Sequence, residues 1–280
     1  MKRNAILRII LFSFLAVILL GALISGIALK SYQMPGVVVR KSFEAPLVNE
    51  NEFDAREIDQ LKIDWAAGKI VIVPVEGKKI SVTEELLGTD KTMVLKRDGS
   101  TLYVQYCEGA VGISFGTGSL KKNLYITVPQ DWECKELEID AASATVQAEY
   151  LTIRELASST ASGTHTFTNC QVGTMQMETV SGDLDFTGTL EKLDFNGVSA
   201  QLDLALTNAP KSIKLESVSG DVNLTLPESC GFTLDKDTVS GRFSSELATT
   251  TENGKVIHGD GSCIIEVEGV SSSVHIRKGT

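Results

Sequence analysis

The second half of the chain repeats with a period of about 20 residues. Each copy has an apolar pair, then Val or Ala, then Ser, then a small residue, then a second apolar pair. The intervals between the serines from Ser143 to Ser240 are 19, 19, 18, 20 and 21 residues. One such unit cannot bury its own apolar side, so successive units must stack. The sequence therefore predicts an all-β fold, a single-stranded parallel β-solenoid (β-helix-like). Its coils are marked by Ala67-Gly68, Ser143-Ala144, Ser162-Gly163, Ser181-Gly182, Ser199-Ala200, Ser219-Gly220, Ser240-Gly241 and Ser271-Ser272.

Alignment of the copies on the serine predicts which side chains form the core. Apolar residues recur four positions before the serine and three and five positions after it, as in Leu215, Val222 and Leu224. The small or β-branched residue directly before the serine, such as Val218, is also expected inside. A glycine after the serine suits a corner that needs positive φ or a close backbone approach.

The residue two positions after each serine should point outward and stack between coils. In this series we expect Gln201 to separate Asp183 from Asp221, and Arg242 to lie next to Asp221. The sequence thus predicts an outward ladder of Asp183, Gln201, Asp221 and Arg242.

An uncharged apolar run extends from Ile9 to Leu29 and follows three basic residues. It is long enough to span a bilayer as a helix, and the positive-inside rule places its N-terminus in the cytoplasm. We expect an uncleaved single-pass anchor in the cell membrane. The predicted organisation is a cytoplasmic stub at 1–8, a transmembrane helix at 9–29, a tether at 30–56 and an extracytoplasmic β-solenoid repeat domain at 57–280.

The charge of the chain disfavours one class of partner, and its cysteine pattern disfavours a disulfide framework. All 36 acidic residues but only 22 of the 26 basic residues follow residue 30, giving that part a formal charge of −14. Such a surface disfavours binding to nucleic acid. The five cysteines form no C-x-x-C motif, and a domain of this size can bury a core without disulfides, so buried free thiols are favoured.

No motif makes a convincing catalytic, cofactor or metal site. Ser114 lies in a G-x-S-x-G sequence, but no helix or strand–helix turn follows, so a chance match is favoured. His165 falls in a core column and is expected to be an interior histidine. Solenoid enzymes that act on polysaccharides use stacked carboxylates, and four residues fit that description but are interpreted as solvated surface groups. They are Asp183, Asp185, Asp203 and Asp221.

Two copies carry a more specific signature. Residues 177–186 read Met-Glu-Thr-Val-Ser-Gly-Asp-Leu-Asp-Phe, and residues 215–224 read Leu-Glu-Ser-Val-Ser-Gly-Asp-Val-Asn-Leu. They resemble a bacterial family of membrane-anchored putative adhesins with repeated Val-Ser-Gly-Asp β-strand motifs, a domain of unknown function. The resemblance covers about residues 57 to 280. It implies an exported β-repeat domain and brings no catalytic or ligand-binding residues.

These observations favour a membrane-anchored cell-surface β-repeat protein that acts as a non-catalytic binding or scaffold module. The expected partners are the membrane, through the N-terminal helix, and an envelope polymer or protein. Two alternatives stay open. One is an accessory regulator of cell-envelope stress signalling, which would depend on its own anchor helix; the other is a carbohydrate-active enzyme, which would need two carboxylates in a groove.

Overall fold

The computed structural model describes residues 46–87, 92–108 and 121–279. Apart from one 3₁₀ turn at Ala55–Glu57, the regular elements of this part are sixteen strands that belong to one continuous sheet. The strands are β1 Leu47–Val48, β2 Glu52–Asp54, β3 Gln60–Val75, β4 Lys79–Leu86, β5 Val94–Asp98, β6 Thr101–Gln105, β7 Lys122–Pro129, β8 Glu133–Glu149, β9 Thr152–Ser199, β10 Leu202–Leu206, β11 Ser212–Pro227, β12 Phe232–Ser240, β13 Phe243–Ser245, β14 Thr250–Glu252, β15 Lys255–His258 and β16 Cys263–Gly279.

The coils stack in parallel and in register on the serine. Ser143 pairs with Ser162, Ser199 with Ser219, and Ser219 with Ser271. Each coil contributes one strand segment before the serine and one after it, and the long strand β9 passes through several coils without a break. The all-β, solenoid-like architecture expected from the repeat is confirmed.

The inward columns four positions before and three and five positions after the serine form the core. Leu215, Val222 and Leu224 are all buried, as are their counterparts in the neighbouring interior coils. The inward side chains of both segments join one hydrophobic cluster. This cluster is the principal source of stability, because burying each such side chain is worth about 1.5–3 kcal/mol.

The column directly before the serine is not part of this core, contrary to expectation. Val218 is only half-buried, and Val239 is 52% exposed. Inward residues instead stand two before and one after the serine, for example Ala141 and Ala144 around Ser143. At the corner, the serine and the residue before it both point outward. This shifts the alternation of inward and outward side chains by one position, which simple strand periodicity does not predict.

Glycine at the corner meets both of the demands inferred from the sequence. Gly220 has φ +155°, and a Cβ built on it would lie 2.0 Å from the backbone oxygen of Ala200 in the neighbouring coil. Gly163 has φ +135° and the same close approach to Ala144. Ala144, Gly182 and Ala200 occupy the same position without a positive φ, and the last two stand in adjacent coils between those of Gly163 and Gly220.

The order of the coils in the stack differs from their order in the sequence at the C-terminal end. β16, the last strand among the described residues, lies between β11 and β12 and pairs in parallel with both. Ser271 therefore stands between Ser219 and Ser240. Sequence order would have placed Ser240 directly beside Ser219.

The N-terminal end has the same kind of rearrangement. β6 pairs with the first segment of β3 and β7 with its second segment, so these later strands lie outside β3, while β8 lies on its other side. Antiparallel strands cover the outer edges: β5 and β1 follow β6, β4 and β2 follow β7, and β15 and β14 follow β12. Covering an edge in this way limits pairing with other chains.

A buried lysine holds the N-terminal end together. The Nζ atom of Lys122 lies 2.6 Å from Oε2 of Glu84, donates to the backbone oxygen of Tyr106, and sits 4.8 Å and 4.2 Å from the ring centroids of Trp65 and Tyr106. The indole nitrogen of Trp65 donates to the backbone oxygen of Lys122 at 3.0 Å. Burial lowers the pKa of Lys122, whereas Glu84 opposes that change. This cluster ties β3, β4 and β7 to the end of β6.

Part of the segment assigned to the tether belongs to the folded domain. Leu47 pairs with Lys96 in β5, and Glu52 pairs with Ser81 in β4. The predicted helix at 9–29 lies outside the described residues. Within the part of the chain that the structure describes, no helix has the length and apolar character needed to cross a membrane.

Candidate binding face

The outward side chains that follow the serine corners form a continuous polar surface, here called the ladder face. It runs across β9, β10, β11, β16 and β13 in the order in which these strands pair. Parallel pairing repeats side chains at about 4.8 Å along such a surface. The ladder face comprises Asp183, Asp185, Gln201, Asp203, Asp221, Asn223, Ser273, His275, Arg242 and Ser244.

Hydrogen bonds within and between coils hold the centre of the ladder face in place. Asp203 accepts from Nε2 of Gln201 and from Nδ2 of Asn223, each at 2.7 Å. The backbone nitrogen of Gln201 donates to Oδ1 of Asp183 at 2.9 Å. These bonds fix the side chains on the surface, which reduces the entropy that a ligand would otherwise have to remove.

The predicted ladder residues all face solvent, but Arg242 does not lie next to Asp221. Phe243 pairs with Val274, and the backbone nitrogen of Arg242 approaches Oγ of Ser273 at 3.5 Å. Ser273 pairs in turn with Asp221. The insertion of β16 therefore puts a whole coil between the arginine and the carboxylate that sequence order would bring together.

Asp185 and Asp203 are direct partners on neighbouring strands. Partial burial, followed by the charges of Asp203 and Asp183, raises the pKa of Asp185. The carboxylate of Asp203 accepts hydrogen bonds from the side-chain amides of Gln201 and Asn223. The pair stands on the outward surface of the strands, where Asp185 is mostly exposed and Asp203 is half-buried.

A cleft of about 370 Å³ lies at the C-terminal end of the ladder face. His275 forms part of its wall, with Nδ1 at 2.8 Å from Oγ of Ser244. The walls offer amide, hydroxyl, imidazole, carboxylate and guanidinium groups, so they can both donate and accept hydrogen bonds. The lining residues are Gln201, Asp221, Asn223, Ser244, Ser245, Glu246, His275, Ile276 and Arg277.

His165 lies inside the core, as the sequence predicts. It is fully buried, its Nε2 lies 2.9 Å from Oγ of Ser158, and its Nδ1 has no hydrogen-bond partner among the described residues. Burial lowers the pKa of His165 from 6.5 to about 4. The histidine is therefore neutral at pH 7 and faces the core, away from the ladder face.

We expect acid to destabilise the domain through His165. Between pH 6.5 and about 4 the unfolded chain binds a proton at this residue and the folded chain does not. The contribution of His165 to the free energy of unfolding is therefore fully present above pH 6.5 and is lost as the pH drops towards 4. The shift corresponds to about 3 kcal/mol. His165→Leu should remove about this much of the loss in unfolding free energy on acidification, as determined from urea unfolding. The core should accept leucine, because Leu184 already occupies the same column. His275→Gln, on the ladder face, is the control; equal curves for wild type and His165→Leu would contradict the assignment.

The sequence also raised a serine nucleophile and a metal site. Ser114 lies outside the described residues. Among the residues that the structure describes, no cluster of three or more His, Cys, Asp or Glu side chains could hold a metal ion. The hydrogen bonds of the ladder face, by contrast, could not be inferred from sequence because they depend on which coils are neighbours.

The stacked strands with polar outward columns place the chain among β-solenoid proteins, and a family model identifies the family to which it belongs. The chain belongs to the Toastrack DUF4097 family, whose model matches residues 58–192 and 186–276. This is a domain family of unknown function. No curated protein matches the chain.

Several solved structures are similar. A putative cell adhesion protein from Clostridium sporogenes is 11% identical with a TM-score of 0.39, covering 81% of this chain and 96% of its own. A putative adhesin from Bacteroides fragilis is 12% identical with a TM-score of 0.45, covering 80% and 94%. A putative adhesin from Parabacteroides distasonis is 10% identical with a TM-score of 0.41, covering 84% and 98%.

Proposed function

We propose that this protein is a single-pass membrane protein that displays its β-solenoid outside the cell and acts as a non-catalytic, adhesin-type binding module. The ladder face is the contact surface. The observation that carries the proposal is the continuity of this face: polar side chains repeat over successive coils, are held by hydrogen bonds between coils, and end in a cleft.

The chemistry of the ladder face favours a hydroxyl-rich polymer as the ligand. Amide and carboxylate groups at a regular spacing can pair with successive hydroxyl groups, each hydrogen bond contributing about 0.5–1.5 kcal/mol. An extended ligand would add such contacts coil by coil, which suits a repeat protein. A lone small molecule would use only the cleft.

The charge of the face selects among such polymers. Four aspartates stand on the ladder face against the single arginine Arg242, and the whole chain carries a net charge of −10. Anionic polymers are repelled by such a surface. We infer that the ligand is a neutral or cationic envelope glycan.

Cells that display the full chain should bind a fluorescent neutral or cationic glycan and should bind an anionic one poorly. The triple variant Asp221→Ala, Asn223→Ala, His275→Ala removes three groups of the cleft and should lower the affinity at least about tenfold. External protease applied to intact cells should abolish both the display and the binding. Protection of the domain until lysis would reverse the proposed orientation.

A matched control comes from the strand segments before the serine, whose outward side chains form a separate surface. Glu178, Glu266 and Glu268 are exposed there. Replacing all three by alanine should leave glycan binding within about twofold, since none contacts the ladder face. Equal losses in the two triple variants would overturn the ladder face as the contact surface.

The same cells distinguish binding from catalysis. Asp185 and Asp203 are the neighbouring carboxylates that a carbohydrate-active enzyme could use. Because they stand on an open surface, we propose that they bind and do not react. Release of soluble sugar by wild-type cells, lost in Asp185→Asn while binding persists, would establish an enzyme instead.

A further inference from the structure

Two of the five cysteines come together at the C-terminal end of the stack. Cys230 and Cys263 are both fully buried. Cys263 is the first residue of β16, and its backbone nitrogen donates to the oxygen of Gly231, the residue after Cys230, at 3.0 Å. Its Cα is paired with that of Phe232. The two thiols are close enough to affect each other's protonation, and Sγ of Cys230 approaches the backbone oxygen of Gly231 at 3.7 Å.

Two other cysteines also approach backbone oxygens but lie elsewhere in the stack. The thiol of Cys134 approaches the backbone oxygen of Glu136 at 3.3 Å, and that of Cys170 approaches the oxygen of Ala148 at 3.7 Å. They belong to β8 and β9, far along the chain from the place where β16 is inserted. Cys230 and Cys263 are brought together by that insertion, through the pairing of β16 with β12.

We propose that Cys230 and Cys263 form a disulfide that fastens the inserted strand β16 to the segment preceding β12. The bond would close a loop that contains β12, β13, β14 and β15. A crosslink of this kind stabilises chiefly by restricting the unfolded chain. This inference goes beyond the proposed binding function, although a location outside the cytosol would provide the oxidising environment in which disulfides persist.

The chemistry assigns different roles to the two sulfurs. The interaction with the Cys263 thiol lowers the pKa of Cys230, and the same interaction raises the pKa of Cys263. Cys230 is therefore the attacking thiolate during a local opening that keeps the two thiols together, whereas either cysteine can attack first before β16 is inserted; the Cys230 route is as follows. It displaces one thiolate from an external disulfide, either a small molecule such as cystine or a protein disulfide donor, and forms a mixed disulfide. Cys263 then loses its proton and attacks the Cys230 sulfur, so that two cysteine thiols and one external disulfide give the internal disulfide and two external thiols.

Because both sulfurs are buried, this exchange can take place only at certain stages of folding. Neither sulfur is exposed once β16 is in place, so an external disulfide reaches them before the strand is inserted or during local opening. Oxidation and completion of the C-terminal end are therefore linked steps. Oxidation of the folded chain is expected to be slow.

The test is to refold the purified full chain from urea with cystine and cysteine, unfold the product again in urea with iodoacetamide to block the remaining thiols, and digest without reduction. Mass spectrometry should find one crosslinked peptide pair containing Cys230 and Cys263, with the other three cysteines alkylated. Five alkylated thiols, or another pairing, would overturn the proposal. This readout uses the wild-type chain and needs no variant to fold.

Thermal unfolding gives a second readout. The oxidised wild type should melt at least about 5 °C above the reduced protein. Cys230→Ser should abolish the difference, whereas Cys134→Ser should retain it. A difference that survives in Cys230→Ser would assign the effect to another thiol and contradict the proposal.

Discussion

Replacing Lys122 by methionine is expected to cost about 3–5 kcal/mol of folding stability. The Lys122 side chain is fully buried, and that of its partner Glu84 is 13% exposed. Methionine fills the space between Trp65 and Tyr106 but leaves the Glu84 carboxylate inside the protein without its ammonium partner. Such an uncompensated charge costs much more than the loss of packing. Urea midpoints of the purified chain measure the loss.

An exposed ion pair provides the control. Lys211 and Glu191 lie 2.6 Å apart with side chains 65% and 54% exposed. Lys211→Met should therefore cost less than about 1 kcal/mol. Combining Lys122→Met with Glu84→Leu removes both charges and should regain part of the loss. Unchanged stability in Lys122→Met alone would mean that the buried ammonium is not needed at the N-terminal end.

Gly220→Ala is the second substitution with a large expected effect, about 4 kcal/mol. The new Cβ would lie 2.0 Å from the backbone oxygen of Ala200, and that oxygen cannot move without shifting the neighbouring coil. The positive φ of Gly220 adds a smaller cost. Thermal or urea unfolding of the variant checks the prediction.

Gly77→Ala separates the two contributions. Gly77 has φ +147°, close to that of Gly220, but nothing lies within 4 Å of a Cβ built on it. Its substitution should cost only the backbone term, about 1–2 kcal/mol. Equal losses at the two glycines would show that the close approach between coils contributes nothing.

The sequence predicts those parts of the fold that follow from local alternation. Leu215, Val222 and Leu224 stand at fixed distances from their serine, and a strand segment sends such residues to one side, so their burial could be inferred. Val218 was placed on the wrong side because the corner inserts an extra outward residue. A bend changes the phase of the pattern, and the pattern itself contains no sign of where the phase changes.

Contacts between coils could not be predicted from the sequence where the order of coils in the stack differs from their order in the chain. Ser271 follows Ser240 in the chain but precedes it in the stack, and the long interval between them could equally have held an insertion at one corner. The neighbours of Asp221 and the meeting of Cys230 with Cys263 both depend on that order. The ladder residues could therefore be predicted as outward, but their neighbours could not.

The placement of β16 also bears on how the protein is made and how its length can change. A nascent chain that has emerged only as far as β15 already contains β12 but lacks the strand on which most of β12 rests. The C-terminal end of the stack is therefore completed only after β16 has been synthesised, unlike a solenoid whose coils could each fold on the coil synthesised before. Copies can be gained or lost between β8 and β11, where chain order and stack order agree, without disturbing either end. The domain thus has two terminal assemblies of fixed structure and an interior whose length can change by whole coils.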